Sequence, residues 1–309
     1  MLDVRRMKVL REVAARGSFS AAAEAMNFTQ SAISQHVAAL EREAGTRLVE
    51  RNPRGVRLTD AGRALVCHAD VILARIAAAE DELAAIAGLR GGRLRLASFQ
   101  SAGATLVPRA VAAFHTRHPD VELGMVEAEP SESAALLRSG DIDLALVYDH
   151  EGVPGTIDPE LDLTFLADDR YDAILPADHP LASRRKLSLS DLADVPWISS
   201  GRANGCRRIT EHVCREAGFE PRVAFEADDT LATQALVAAG VGVTLMPRLA
   251  LTAIHPQVVA RALTGPLVRR VWAARLENSY RSPAAEAMLQ ILGDVAEEFV
   301  ETRLELAAS

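Results

Sequence analysis

Between Asp60 and Gly88 the chain has no proline and, after Gly62, no glycine. Leu65, Ala69, Ile72, Ile76, Ala79, Leu83 and Ile86 follow one another there at alternating spacings of four and three. Residues that break helices are absent while apolar side chains recur every 3.5 residues, the pattern of a long helix paired with another along a seam. At 1.5 Å per residue such a helix is about 40 Å long, more than a small domain needs. The competing reading, an amphipathic helix lying on its own core, fits the strict alternation less well. A helix of this kind divides the chain into a part before it and a part after it, and the seam predicts a dimer.

Ahead of it lie three shorter helical patterns. Residues 3–16 place Met7, Leu10 and Ala14 on one stripe, Ser20 is placed to cap "AAAEAM", and Thr29 stands as N-cap before a run from Gln30 to Glu43. After Gly45, "TRLVERNPRGVRLT" reads as two short β-prone pieces around Asn52-Pro53-Arg54-Gly55, the residues of a tight turn. Three helices followed by a basic hairpin is the order of a winged helix-turn-helix, here over residues 1–59, with a linker helix over 60–90.

Net charge separates the same two parts. Residues 1–60 hold ten Arg and Lys against seven Asp and Glu, a net +3, which leaves −11 in the remainder of a chain whose total is −8. The average therefore hides a basic end on an acidic body, and a nucleic-acid partner for that end stays open.

The third helical run sharpens that reading. Ile33, Val37, Leu40 and Ala44 form its buried stripe, whereas Gln30, Ser31, Ser34, Gln35 and Ala38 lie on the other side with no charge among them. An ordinary solvated face carries Glu, Lys and Arg, as this helix does later at Glu41, Arg42 and Glu43. Small hydrogen-bonding side chains suit a helix that sits deep in the major groove, and its free N–H groups favour a phosphate. Arg47, Arg51, Arg54 and Arg57 in the hairpin add the sequence-independent attraction a wing supplies. Double-stranded DNA is the expected partner.

Beyond a predicted hinge at Gly91-Gly92 the pattern changes. "RLRLAS", "VELGMVE" and "DLALVY" alternate with helices, and a second series follows with "DAILPA", "PWISS", "RVAFEA" and "GVTLMP". Alternating strands and helices predict a mostly parallel sheet covered on its faces. Two such series predict a two-lobed α/β domain over 91–309, lobe I near 93–164 and 266–305 and lobe II near 165–265, with a cleft between them. A last helix is expected over 283–304. The fold class is thus multidomain α/β.

Several functions are excluded on composition and motif. With 309 residues, 49% of them hydrophobic and 25% charged, the chain is ordinary globular material sufficient for two or three domains. No stretch approaches a membrane span, and the mixed N-terminus "MLDVRRMKVLREVAARG" is unlike a secretory signal, so a soluble cytoplasmic protein is expected. Cys67, Cys206 and Cys214 are too few and too scattered for a disulfide framework. Cys206, His212 and Cys214 diverge around a helix with no fourth ligand near, so no metal is expected, and neither is a cofactor. A nucleophile elbow and a phosphate-binding glycine loop are both missing, which weakens an enzyme, and the lack of a secretion signal weakens a solute-binding protein.

The stretch "GSFSAAAEAMNFTQSAISQHVAALEREAGTRLVERNPRGVRLTDAG" resembles the N-terminal region of LysR-type transcriptional regulators. The resemblance continues more loosely through "LVPRAVAAFHTRHPDVEL", "LLRSGDIDLALV" and "LVAAGVGVTLMP". It implies a winged helix-turn-helix, a dimer-forming linker helix and an effector domain like periplasmic binding proteins, with two dimers commonly forming a tetramer. It assigns Gln30, Ser31 and Ser34 to the DNA-reading positions and Arg51 and Arg54 to the wing, and Ser20, Thr29, Gln35 and Thr59 complete the candidate DNA-binding residues. Val49, Ala44 and Ser31 depart from the usual pattern, and only Ser31 touches a base-reading position.

In that family effectors sit between the lobes, at positions that here read "ASFQSAG" and "ISSGRANG". The candidate effector residues are Ser98, Gln100, Ser101 and Glu127 on one side and Ser199, Ser200, Arg202, Asn204 and Thr230 on the other. Arg202 with short polar residues ahead of a helix points to an anionic effector. Glu127, Glu129, Asp228 and Asp229, if they border the cleft, suit an amine or hydroxyl instead. Cys206 near a helix start is read as an inert thiol. The expectation is a DNA-binding regulator, not an enzyme, controlled by a small molecule, with RNA polymerase as a further candidate partner.

Overall fold

The computed structural model describes residues 1–52, 55–86, 92–150, 152–153, 157–201, 204–265, 267–277 and 279–308. The chain forms two compact units, Met1–Leu89 with Leu136–Ile142, and Arg90–Ala135 with Asp143–Ser309.

The first unit begins with α1 (Val4–Arg16), α2 (Phe19–Ala25) and α3 (Gln30–Ala44). Each start is capped by a side chain that satisfies a free backbone N–H: Asp3 accepts from Arg6 N at 3.1 Å, Ser18 Oγ from Ala21 N at 3.4 Å, and Thr29 Oγ1 from Ala32 N at 3.2 Å. The cap of α2 is therefore Ser18 rather than Ser20. Phe19 is buried and belongs to the first turn, which moves the helix start upstream of the alanine run. Gly17 and Gly45 end α1 and α3 in the left-handed region, at φ 62° and 69°.

Leu10, Val13, Ala22, Ile33 and Leu40 form a fully buried centre for these helices. The hairpin of β1 (Val49–Asn52) and β2 (Gly55–Leu58) is antiparallel, with Val49 opposite Leu58, and Glu41 Oε1 ties it to α3 by accepting from Leu48 N at 2.8 Å.

The helix α4 (Asp60–Ile86) follows. It approaches the hairpin closely enough that a Cβ on Gly62 would lie 2.1 Å from the Leu48 carbonyl oxygen. The predicted seam is used unevenly. Leu65, Ala69 and Ile72 pack on the core of α1–α3, whereas Ile76 and Leu83 are 37% and 65% exposed. Ala79 is exposed as well, and the Ile86 side chain lies outside the described residues.

The second unit is built on a mixed sheet. On one side β4 (Glu122–Glu127), β3 (Arg93–Ser98) and β5 (Leu144–His150) lie parallel, with α5 (Gln100–Gly103), α6 (Leu106–Arg117) and the first part of α7 (Pro130–Ser139) in the connections. Next to β5 runs β12 (Val268–Leu276), antiparallel to it and to the 16-residue β6 (Leu161–Pro176). The first part of β6, Leu161–Arg170, pairs with β12. Its second part, Tyr171–Pro176, pairs with β10 (Thr244–Pro247) and β11 (Val258–Leu263), and β7 (Lys186–Leu187) closes that edge beside β11. A separate parallel pair, β8 (Trp197–Ser199) and β9 (Val223–Glu226), is linked by a bridge from Trp197 to Val243.

The expected strand "DAILPA" is thus the end of a longer strand, and the expected mostly parallel sheet is mixed, because β6 and β12 run against their neighbours. The helices α8 (Gly205–Glu216), α9 (Thr230–Ala238) and α10 (Pro283–Ala308) complete the unit. Met288, Ile291, Leu292 and Ala296 of α10 share one core with Ala110 and Phe114 of α6. That core also includes Trp197, Ile209 and Leu249, so both halves of β6 rest on it. Among the described residues no helix is long and apolar enough to cross a membrane.

Candidate functional site

Two surfaces carry the residues singled out above. In the first unit, the buried stripe of Ile33, Val37 and Leu40 turns Gln30, Ser31, Gln35 and Ala38 to solvent, with Ser34 half-buried at the edge. The N-cap Thr29 places its Oγ1 3.0 Å from Ser31 Oγ, so the start of the face is internally ordered. Ser20 is exposed on α2. Thr59 holds the hairpin to the next helix, since its hydroxyl donates to the Arg47 carbonyl at 2.7 Å and accepts from Gly62 N at 3.0 Å, capping α4. Arg47 and Arg57 are exposed on or beside the hairpin, while the Arg51 side chain and Arg54 lie outside the described residues.

In the second unit a cavity of about 530 Å³ opens where β6 and β12 pass between the two halves. Of the expected residues, Gln100, Ser101, Glu127, Ser200, Asn204 and Thr230 line it. Ser98 and Ser199 are buried and do not, Ser98 Oγ donating to the Phe99 carbonyl at 3.1 Å. Arg202 lies outside the described residues. Gln100 spans the opening: its Oε1 accepts from Thr230 Oγ1 at 2.9 Å, and its Nε2 donates to Asp229 Oδ2 at 3.3 Å. Asp229 Oδ1 meanwhile caps α9 by accepting from Ala232 N.

The floor was not anticipated from sequence. Arg269 on β12 lines the cavity yet is 1% exposed. Its Nε donates to Asp169 Oδ2 at 2.9 Å, and its Nη2 reaches the same oxygen at 2.8 Å and Ser101 Oγ at 2.6 Å. Asp169 Oδ1 accepts from Leu249 N at 3.0 Å. The rings of Phe99 and Tyr148 lie 4.7 and 4.8 Å from the guanidinium carbon, a cation–π arrangement strengthened by burial. Burial alone draws the Arg269 pKa down, but Asp169 leads the neighbours that hold it above the ordinary arginine value, so the guanidinium stays charged. One signal was available: Arg269 shares the inward phase of β12 with Val271 and Ala273, where an apolar residue is the norm.

Tyr148 joins floor to rim. Its hydroxyl donates to Glu129 Oε2 at 2.7 Å and lies 3.5 Å from Cys206 Sγ. Burial pushes the Glu129 pKa above the ordinary carboxylate value, partly offset by that hydrogen bond, and burial likewise drives the Tyr148 phenol upward. Glu127, Glu129, Glu132, Asp228 and Asp229 all line the cavity, where Arg269 is the one cation among the described lining residues. Cys214 is fully buried, with its thiol pushed up to about 12 by burial, and so is chemically quiet.

Residues 4–63 match the model of the bacterial regulatory helix-turn-helix proteins of the lysR family. Residues 87–297 match that of the LysR substrate binding domain. The chain belongs to the LysR family. Among relatives of this LysR-type regulator, the probable HTH-type transcriptional regulator LrrA of Synechococcus elongatus is 32% identical over 96% of this chain and 98% of its own. The HTH-type transcriptional regulator ShiR of Corynebacterium glutamicum is 34% identical over 79% and 82%. Full-length CbnR, solved in complex with its target DNA, superposes with a TM-score of 0.64 at 22% identity, covering 95% of this chain and 100% of that one, and so shares the fold. The LysR-type chain is a transcriptional regulator with a DNA-binding helix-turn-helix and a substrate-binding domain, not an enzyme.

Proposed function

We propose that this LysR-type regulator reads promoter DNA through the exposed Gln30, Ser31 and Gln35 with Ser34 at the edge, held by Arg47, Arg51, Arg54 and Arg57, and that a small molecule in the cavity of the second unit controls it. The observation that carries the DNA reading is the uncharged exposed face of α3, backed by a fully buried stripe. Amides and hydroxyls there hydrogen-bond base edges, while arginines supply affinity through phosphates. Thr59 and Thr29 support this surface as caps. The apolar residues left exposed on α4 suit a dimer, whose two recognition helices meet half-sites about one DNA turn apart or a multiple of it. A tetramer of two such dimers and contact with RNA polymerase extend the same reading, and promoter DNA puts the protein in the cytoplasm.

The effector is polar. Sequence pointed to an anion through Arg202, but the described lining places five carboxylates around one guanidinium already paired with Asp169, which disfavours a purely anionic ligand.

Fluorescence anisotropy with DNA from upstream of the regulator's own gene tests the DNA reading. Affinity is expected to fall steeply with salt, and Ser31→Glu to weaken binding by more than about tenfold, the scale of a lost base contact with added repulsion from phosphate. Binding that ignores both salt and Ser31→Glu would remove α3 from the interface.

A further inference from the structure

Resting on the effector-cleft reading, we propose that the cavity of the second unit takes a zwitterion of the amino-acid class, its carboxylate or carboxamide on Arg269 and its ammonium among Glu127, Glu129 and Asp228. The floor asks for an acceptor. Nε and Nη2 of Arg269 are committed to Asp169 and Ser101, whereas among the described residues Nη1 has no hydrogen-bond partner, although the residue is 1% exposed and lines the cavity. Nη1 is not sealed off from the cavity, so it is the arginine donor open to a ligand oxygen, and the flanking rings of Phe99 and Tyr148 cannot replace that oxygen. A ligand oxygen completes the fork in the bidentate manner arginine favours.

The rim asks for a cation. The Glu127 side chain has no hydrogen bond or ion pair among the described residues. Asp228 Oδ1 is met by neutral donors, Gly201 N at 2.9 Å and Asn204 Nδ2 at 3.2 Å, and Glu129 by the neutral Tyr148 hydroxyl. Like charges gathered in a partly desolvated cleft repel one another, and an ammonium entering among them relieves that repulsion. Arg208 lines a separate small cavity of about 10 Å³ together with Glu129 and forms no ion pair with it among the described residues.

The two demands fit one small molecule. Tyr148 packs its ring on Arg269 at 4.8 Å and donates its hydroxyl to Glu129 at 2.7 Å, so the opposite charges stand at the two ends of a single tyrosine side chain. A ligand of that reach with an amine at one end and a carboxylate or carboxamide at the other spans them, and about 530 Å³ leaves room for its side chain.

Calorimetric titration of the full-length protein with the free L-amino acids, their N-acetyl forms, the corresponding decarboxylated amines, and a set of dicarboxylates and sugar acids tests the class. At least one amino acid is expected to bind, with its N-acetyl and decarboxylated forms each weaker by about tenfold or more, the scale of one lost charge-assisted contact. Asp228→Asn is expected to weaken the amino acid and leave the N-acetyl form unchanged. This ligand series does not depend on any variant folding. Equal binding of the truncated forms, or no binding by any amino acid, overturns the proposal. Ser131→Trp, which fills the cavity from an exposed lining position, separates the two readings. A dicarboxylate or sugar acid that binds and is lost in Ser131→Trp keeps the cleft and overturns the class. An amino acid that binds Ser131→Trp undiminished overturns both.

Discussion

Arg269 and Asp169 face each other across paired strands with 2% and 3% of their side chains exposed, and neither could hold its charge alone. Breaking such a pair from one side leaves a buried ion without compensation, which typically costs about 3–5 kcal/mol. Asp169→Asn should therefore lower unfolding free energy by that order in urea titrations of the effector domain's signal; a loss under about 1 kcal/mol would mean water reaches Arg269. Glu129 behaves in the opposite sense. Burial raises its folded-state pKa, so the folded chain holds this proton more tightly than the unfolded chain. The stability linked to that proton is complete below the ordinary carboxylate pKa and is lost as pH rises through the raised value. Glu129→Gln is expected to raise Tm near neutral pH, with the gain vanishing below about pH 4. A gain that persists in acid would assign the effect to packing rather than ionisation. The same substitution should weaken an ammonium-bearing ligand, an exchange of function for stability common at binding sites.

At the scale of elements, α4 shows how a clear periodic signal can be correct about conformation and silent about use. Leu65, Ala69 and Ile72 obey the same alternation as Ile76, Ala79 and Leu83, yet the first three complete the core of the winged domain, while Ile76, Ala79 and Leu83 are exposed. Period alone cannot tell a neighbour in the same chain from one in another. Leu83→Glu is therefore expected to shift sedimentation toward monomer without lowering the melting temperature of the winged domain, while Ile72→Glu lowers that temperature. If Leu83→Glu leaves the oligomer intact, the exposed part of α4 is not its interface.

The strand β12 and the first part of β6 failed to register for a different reason. Each carries charged residues that strands disfavour, but in register Arg269 lies opposite Asp169, Arg270 opposite Asp149 and Arg275 opposite Asp162. Every one of these cross-strand pairs is an ion pair, at 2.8, 2.8 and 2.9 Å. Their compatibility with a sheet is a property of the pairing and cannot be seen in either strand alone. The helices of the winged domain were legible because capping and the 3.6-residue period are local, and so were the polar stretches that carry Gln100, Ser101, Ser200 and Asn204. The floor of the cleft required residues more than a hundred positions apart in sequence to meet, as Ser101 and Arg269 do at 2.6 Å.

For the whole molecule the distribution of cores sets the expected unfolding behaviour. The winged domain and the N-terminal part of α4 share one buried cluster, which among the described residues has no member in common with the cluster of the effector domain. Within the effector domain the situation is reversed, since Leu94 and Phe114 from one side of the sheet and Trp197, Ile209 and Leu249 from the other belong to the same cluster. Cooperative units follow shared burial. Two calorimetric transitions are thus expected rather than one or three, with the lobes of the effector domain melting together despite the cavity between them. A ligand that binds the folded cleft should raise the effector-domain transition as RT ln(1 + [L]/Kd) and leave the winged-domain transition in place. Promoter DNA should do the reverse, most strongly at low salt, because its affinity rests on phosphate contacts to the basic end of the chain. A single transition moved by both would mean that the two units unfold as one body, and control of DNA binding by the effector would then run through global stability instead of a change confined to each unit's own surface.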